Sequence, residues 1–177
     1  MKKTLLSAAL MAGFGIVAFA PNAADAASTG TINFSGKVFA DTCTINVNGG
    51  STVVLPPVMV SAFGGAANTV AGATNFTVAL TGCDTNISTA QMAFSGANVD
   101  TTSGNLKNSL SSNNSNVEIQ LLSGASVVNT NTQANAPKIT LTSGAGSTSL
   151  TAQYISTAAA TTAGLVSSSV NFTLTYN

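Results

Sequence analysis

Short runs of alternating apolar and polar residues recur along this chain, and that period of two decides most of what it can fold into. In residues 31–39, Ile32, Phe34 and Val38 share one face with Gly36, while Thr31, Asn33, Ser35 and Lys37 share the other. That is the pattern of a half-buried β-strand. The same alternation returns in residues 43–47, which end at the turn signal Asn48-Gly49-Gly50. It returns again with Phe76, Val78 and Leu80, with Met92 and Phe94, and with Val117, Ile119 and Leu121. Ile139 and Leu141, then Leu150, Ala152 and Tyr154, and finally Val170, Phe172, Leu174 and Tyr176 repeat it. Residues 52–60 are apolar and β-branched, but Pro56 and Pro57 remove two ladder donors, so an edge strand or a break is expected there. The Ala-rich residues 66–73 and 158–163 lack an apolar stripe and suggest single helical turns at most. Residues 61–72 and 101–115 are expected to be loops, the second a long surface loop. Seven to nine short strands separated by turn signals predict an all-β antiparallel sandwich or barrel.

The first 26 residues read as a secretory signal peptide. Lys2 and Lys3 precede an uncharged apolar run, and Ala24-Asp25-Ala26 supplies small residues at the cleavage spacing. The expected product starts at Ala27 and is an exported single domain of roughly 150 residues. Its charges are Lys37, Lys107 and Lys138 against Asp41, Asp84, Asp100 and Glu118, with no Arg and no His. So charge-poor a chain has no electrostatic footprint for nucleic acid or an anionic membrane, and no later segment is apolar enough to insert into a bilayer. Without His, imidazole-based nucleophile activation and imidazole metal sites are excluded. The four carboxylates are scattered, and Asp84 reads as a solvated turn residue. Gly144-Ala145-Gly146 lacks the Lys and spacing of a phosphate loop and reads as a turn. Neither an enzymatic activity nor a cofactor is expected. The two cysteines, Cys43 and Cys83, in an exported chain predict one disulfide. Closing that loop is worth roughly 4 kcal/mol in the chain-entropy model.

In their order and spacing these segments resemble a fimbrial subunit of the chaperone–usher class, in particular the type 1 major pilin. The resemblance rests on the signal peptide, on Gly30-Thr-Ile-Asn-Phe-Ser-Gly-Lys-Val38 shortly before Cys43, and on the strand that closes at Cys83. It rests also on residues 117–121 and on a C-terminal signature: a penultimate Tyr176, alternating apolar residues before it, and Gly164 fourteenth from the end. The resemblance implies an incomplete immunoglobulin-like sandwich that lacks its last strand and is completed by a donor strand from another subunit. It implies a signal peptide at 1–26, a donor extension at 27–38 and a pilin domain at 39–177. Ile32, Phe34, Gly36 and Val38 would then form the donor strand. Gly164, Val170, Phe172, Leu174 and Tyr176 would form the acceptor groove and the surface that a periplasmic chaperone recognises. The implied partners are related pilin subunits, that chaperone and an outer-membrane usher, on a route through the periplasm to surface fimbriae. An adaptor or tip subunit with a glycan-binding role is the alternative in the same fibre.

Overall fold

The computed structural model describes residues 31–36, 38, 43–48, 50–110 and 116–177. The expected signal peptide and most of the 37–42 stretch lie outside the described residues. The chain divides into an N-terminal unit, Met1–Gly36, and a larger unit, Lys37–Asn177. In the first unit, residues 31–36 belong to no strand and are exposed; Phe34 is 91% and Ile32 77% accessible.

Among the described residues the larger unit has nine strands: β1 (Thr44–Val47), β2 (Val70–Thr81), β3 (Thr89–Ser95), β4 (Leu106–Lys107), β5 (Val117–Ser123), β6 (Ser126–Val128), β7 (Lys138–Thr140), β8 (Gly146–Ser156) and β9 (Asn171–Tyr176). Among the described residues the helical structure is a single 3-10 turn, Val60–Phe63. One sheet runs β1-β2-β8-β5-β4, with β6 also paired to β5, and the other runs β7-β3-β9. Every pairing is antiparallel.

The alternation in the sequence explains why these segments pair as they do. On β2, Phe76, Val78 and Leu80 are buried between more exposed neighbours, and Phe76 lies opposite Leu150 of β8. On β3, Ala90, Met92 and Phe94 point into the same core, which Leu121 and Ile139 complete from β5 and β7. Each buried side chain of this size contributes about 1.5–3 kcal/mol. A one-residue slip would turn a whole row to solvent, so the core also fixes the register. Cys43 and Cys83 are disulfide-bonded, tying the start of β1 to the end of β2.

Two expectations are corrected. Strand β2 begins at Val70, inside the expected 61–72 loop, because a bulge between Ala71 and Thr74 lets Gly72 adopt φ +65° under the Tyr154 ring. Residues 101–115 are not simply a surface loop: Leu106 fills the core, and Asn105 and Asn108 are buried. Leu106 pairs with Ile119 and brings its polar neighbours into the sandwich with it. The Ala-rich 158–163 stretch contains no helical turn. Asp84 does sit in a turn, its Oδ1 accepting from the Asn86 backbone N–H and side-chain amide at 2.8 Å each.

Candidate functional site

The second sheet stops at β9, whose sole strand partner among the described residues is β3. The parity of its backbone groups shows which of them are spent. Asn177 and Thr89 exchange both backbone hydrogen bonds, at 3.0 and 3.1 Å. In an antiparallel ladder the residues at odd positions of β9 therefore bond to β3, and those at even positions point the other way. The same parity extends upstream of the strand. The Ser167 carbonyl accepts from the Ser109 N–H at 2.7 Å, the Ser167 N–H donates to Asn108 Oδ1 at 2.9 Å, and Asn108 Nδ2 donates to the Leu165 carbonyl at 3.0 Å. Asn98 Nδ2 donates to the Ser169 carbonyl at 3.2 Å. The N–H and C=O groups of Val166, Ser168, Val170, Phe172 and Leu174 are thus left facing an open edge.

Beside that edge runs a groove formed by three adjoining cavities of about 310, 410 and 570 Å³. One wall is residues 51–60 and the other residues 162–172. Pro56 and Pro57 keep the first wall out of any sheet, as their missing donors require. The narrow end opens onto the hydrophobic core itself: Phe76, Met92, Phe94, Leu121 and Leu150 line it. At the wide end lie Phe63, Tyr154 and Leu165. Burial raises the Tyr154 phenol above its usual 10.0.

The five residues expected to form an acceptor edge therefore share one side of the molecule. Gly164 lines the wide end, and Val170 and Phe172 line the narrow end. Leu174 and Tyr176 continue the row, half-buried against the core. Of the residues expected in the donor, Ile32, Phe34 and Val38 are exposed, and a Cβ at Gly36 would meet nothing within 4 Å. Sequence reasoning missed the wall at 51–55 and the amides Asn98 and Asn108 that hold residues 165–169. Polar side chains acting as backbone partners leave no periodic trace. The described residues contain no cluster of His, Cys, Asp and Glu that could hold a metal, and no helix long and apolar enough to cross a membrane.

This sandwich, with a groove beside β9 that opens onto its core, has the immunoglobulin-like fold of pilus subunits. The chain belongs to the fimbrial protein family, whose model matches residues 32–177. It is 40% identical over 177 residues to the major fimbrial subunit SMF-1 of Stenotrophomonas maltophilia, covering 92% of this chain and 100% of that one. It is 38% identical over 173 residues to the F17 fimbrial protein of Escherichia coli, covering 92% of this chain and 95% of that one. In fold it is similar to the P pilus rod subunit PapA, with TM-score 0.63 and 21% identity over 77% of this chain and 100% of that one. It is likewise similar to a subunit from a chaperone–usher pilus structure, with TM-score 0.61 and 22% identity over 85% of this chain and 96% of that one. The protein is a structural fimbrial subunit, and the family it belongs to is not enzymatic.

Proposed function

We propose that this subunit polymerises head-to-tail by strand addition, residues 27–38 of one copy filling the groove beside β9 of the next. The observation that carries this is the open β9 edge, where unspent backbone groups border a groove floored by core side chains. A row of that kind is a template for another strand. A complementary strand is available in residues 31–38, whose apolar face is exposed in the chain. Ile32, Phe34 and Val38 enter the groove as apolar anchors, and Gly36 lies where the groove admits no side chain. Burying the three anchors contributes roughly 5–9 kcal/mol, and each added backbone hydrogen bond about 0.5–1.5 kcal/mol. Because donor and acceptor are different surfaces, the contact repeats without closing and yields a filament.

An open edge of this kind is hazardous before assembly. A periplasmic chaperone covers it after export, recognising Gly164, Val170, Phe172, Leu174 and Tyr176, and delivers the subunit to an outer-membrane usher. The fibre then accumulates on the cell surface. Deleting residues 27–38 from the exported chain tests the donor role: the truncated subunit is expected to stay chaperone-bound and not extend fibres. Normal polymerisation of the truncated chain would refute it.

A further inference from the structure

On the side opposite β9 the short strand β7 forms the edge of the second sheet, and the length of β3 past the end of β7 is closed in an unusual way. The even-numbered residues of β3 face that side. Ala90 is paired with Ile139 of β7. Met92 N–H donates to the Pro137 carbonyl at 3.0 Å, but Pro137 has no N–H to return to the Met92 carbonyl. Gln91 Nε2 supplies that donor instead, at 3.2 Å. One step further along, no strand continues. There the Gln133 side chain takes the place of a peptide group: its Oε1 accepts from Phe94 N–H at 2.7 Å, and its Nε2 donates to the Phe94 carbonyl at 2.9 Å. The same Nε2 donates to the Thr130 carbonyl at 2.7 Å, which anchors the amide to its own loop. Gln133 holds φ +64°, a conformation that non-glycine residues adopt rarely and that survives only where surroundings impose it.

We propose that Gln133, assisted by Gln91, keeps strand addition off the length of β3 that β7 leaves uncovered, by acting as a surrogate strand there. The inference rests on the strand-addition reading above and adds its directionality. The uncovered length of β3 presents backbone groups of the same chemistry as the β9 edge. A subunit that accepted strands at both would branch or aggregate instead of forming a linear fibre. Here β9 keeps its even-numbered groups open, while the β3 groups on the other side are satisfied by β7, a proline carbonyl and two glutamine amides.

The test is a Gln133→Gly variant of the full chain, glycine being free to hold a positive φ. Residue-resolved hydrogen exchange and electron microscopy are read on the assembled protein. The expected result is exchange at Phe94 faster by about tenfold, with Ala90 unchanged, together with side-to-side aggregates alongside the fibres. Unchanged exchange at Phe94, or faster exchange with only unbranched fibres in normal amount, would overturn the proposal. Should Gln133→Gly not fold, Gln133→Glu keeps the acceptor for Phe94 N–H and removes the donor to its carbonyl. Side-to-side aggregation of that variant supports the proposal, and fibres of wild-type morphology in normal amount overturn it. Exchange at Phe172 and Leu174 reports separately on the acceptor edge. If those amides are not protected in wild-type fibres, strand addition itself fails, whatever residue 133 does.

Discussion

Phe34→Ala separates the stability of the subunit from the stability of the contact between subunits. In the chain Phe34 is 91% accessible, so the sandwich gains almost nothing from its ring, and the variant should fold as the wild type does. In the fibre the ring enters the apolar groove of a neighbour, where burial of a phenylalanine is worth about 1.5–3 kcal/mol. Alanine retains only the Cβ of that contribution. A loss of about 2 kcal/mol per junction corresponds to roughly a thirtyfold weaker contact. The assay compares two midpoints in guanidinium, one for dissociation of multimers by size-exclusion chromatography and one for subunit unfolding by circular dichroism. The expected outcome is a lower dissociation midpoint with the same unfolding baseline and spectrum. Multimers of Phe34→Ala that dissociate as wild type does would refute the role given to this side chain.

Other perturbations test other parts of the account. Replacing Cys43 and Cys83 together by Ser removes a cross-link spanning 40 residues; a loss of about 4 kcal/mol is expected in denaturant unfolding, and an unchanged midpoint would contradict it. Gly146→Ala places a Cβ against the Thr140 carbonyl oxygen and 3.1 Å from Ile139 Cγ2; because the first neighbour is backbone, a cost of about 1–3 kcal/mol is expected as a lower Tm. The Asp100 carboxylate is held below its usual 3.8 by hydrogen bonds from the Ser103 and Thr102 backbone N–H groups. A lowered folded-state pKa means that its contribution is present above 3.8 and is lost as pH falls below it. Asp100→Asn should therefore be slightly less stable than wild type at neutral pH, and the gap should close in acid titration.

The parts of this molecule that follow a period were legible in its sequence. Phe76, Val78 and Leu80 announce β2, and Val170, Phe172, Leu174 and Tyr176 announce the edge strand, because core burial demands side chains at every second position. The start of β2 was hidden, since Gly72 interrupts the pattern and is explained by its positive φ and by the Tyr154 ring and Val58 side chain that crowd it. Leu106 was hidden for a related reason: a two-residue strand carries no period, and its polar neighbours read as surface. Asn105 and Glu118 are buried within one hydrogen-bonded cluster, Glu118 Oε2 accepting from Ser103 Oγ at 2.8 Å and from Asn105 Nδ2 at 3.2 Å, and burial of that kind has no compositional mark. The groove was legible only in part. Its β9 wall follows the alternation, whereas the Pro56-Pro57 wall and the amides of Asn98 and Asn108 depend on which distant backbone each one meets.

Head-to-tail strand donation is the central claim, and mixing two complementary chains tests it most directly. One chain lacks residues 27–38, so that it can accept a strand but not donate one. The other carries an extra copy of residues 27–38 joined by a turn after Asn177, so that its own groove is filled and it can donate but not accept. The account predicts that each is monomeric alone and that their mixture stops at one-to-one heterodimers by light scattering. Multimers from either chain alone, growth of the mixture beyond the dimer, or no association at all would contradict it.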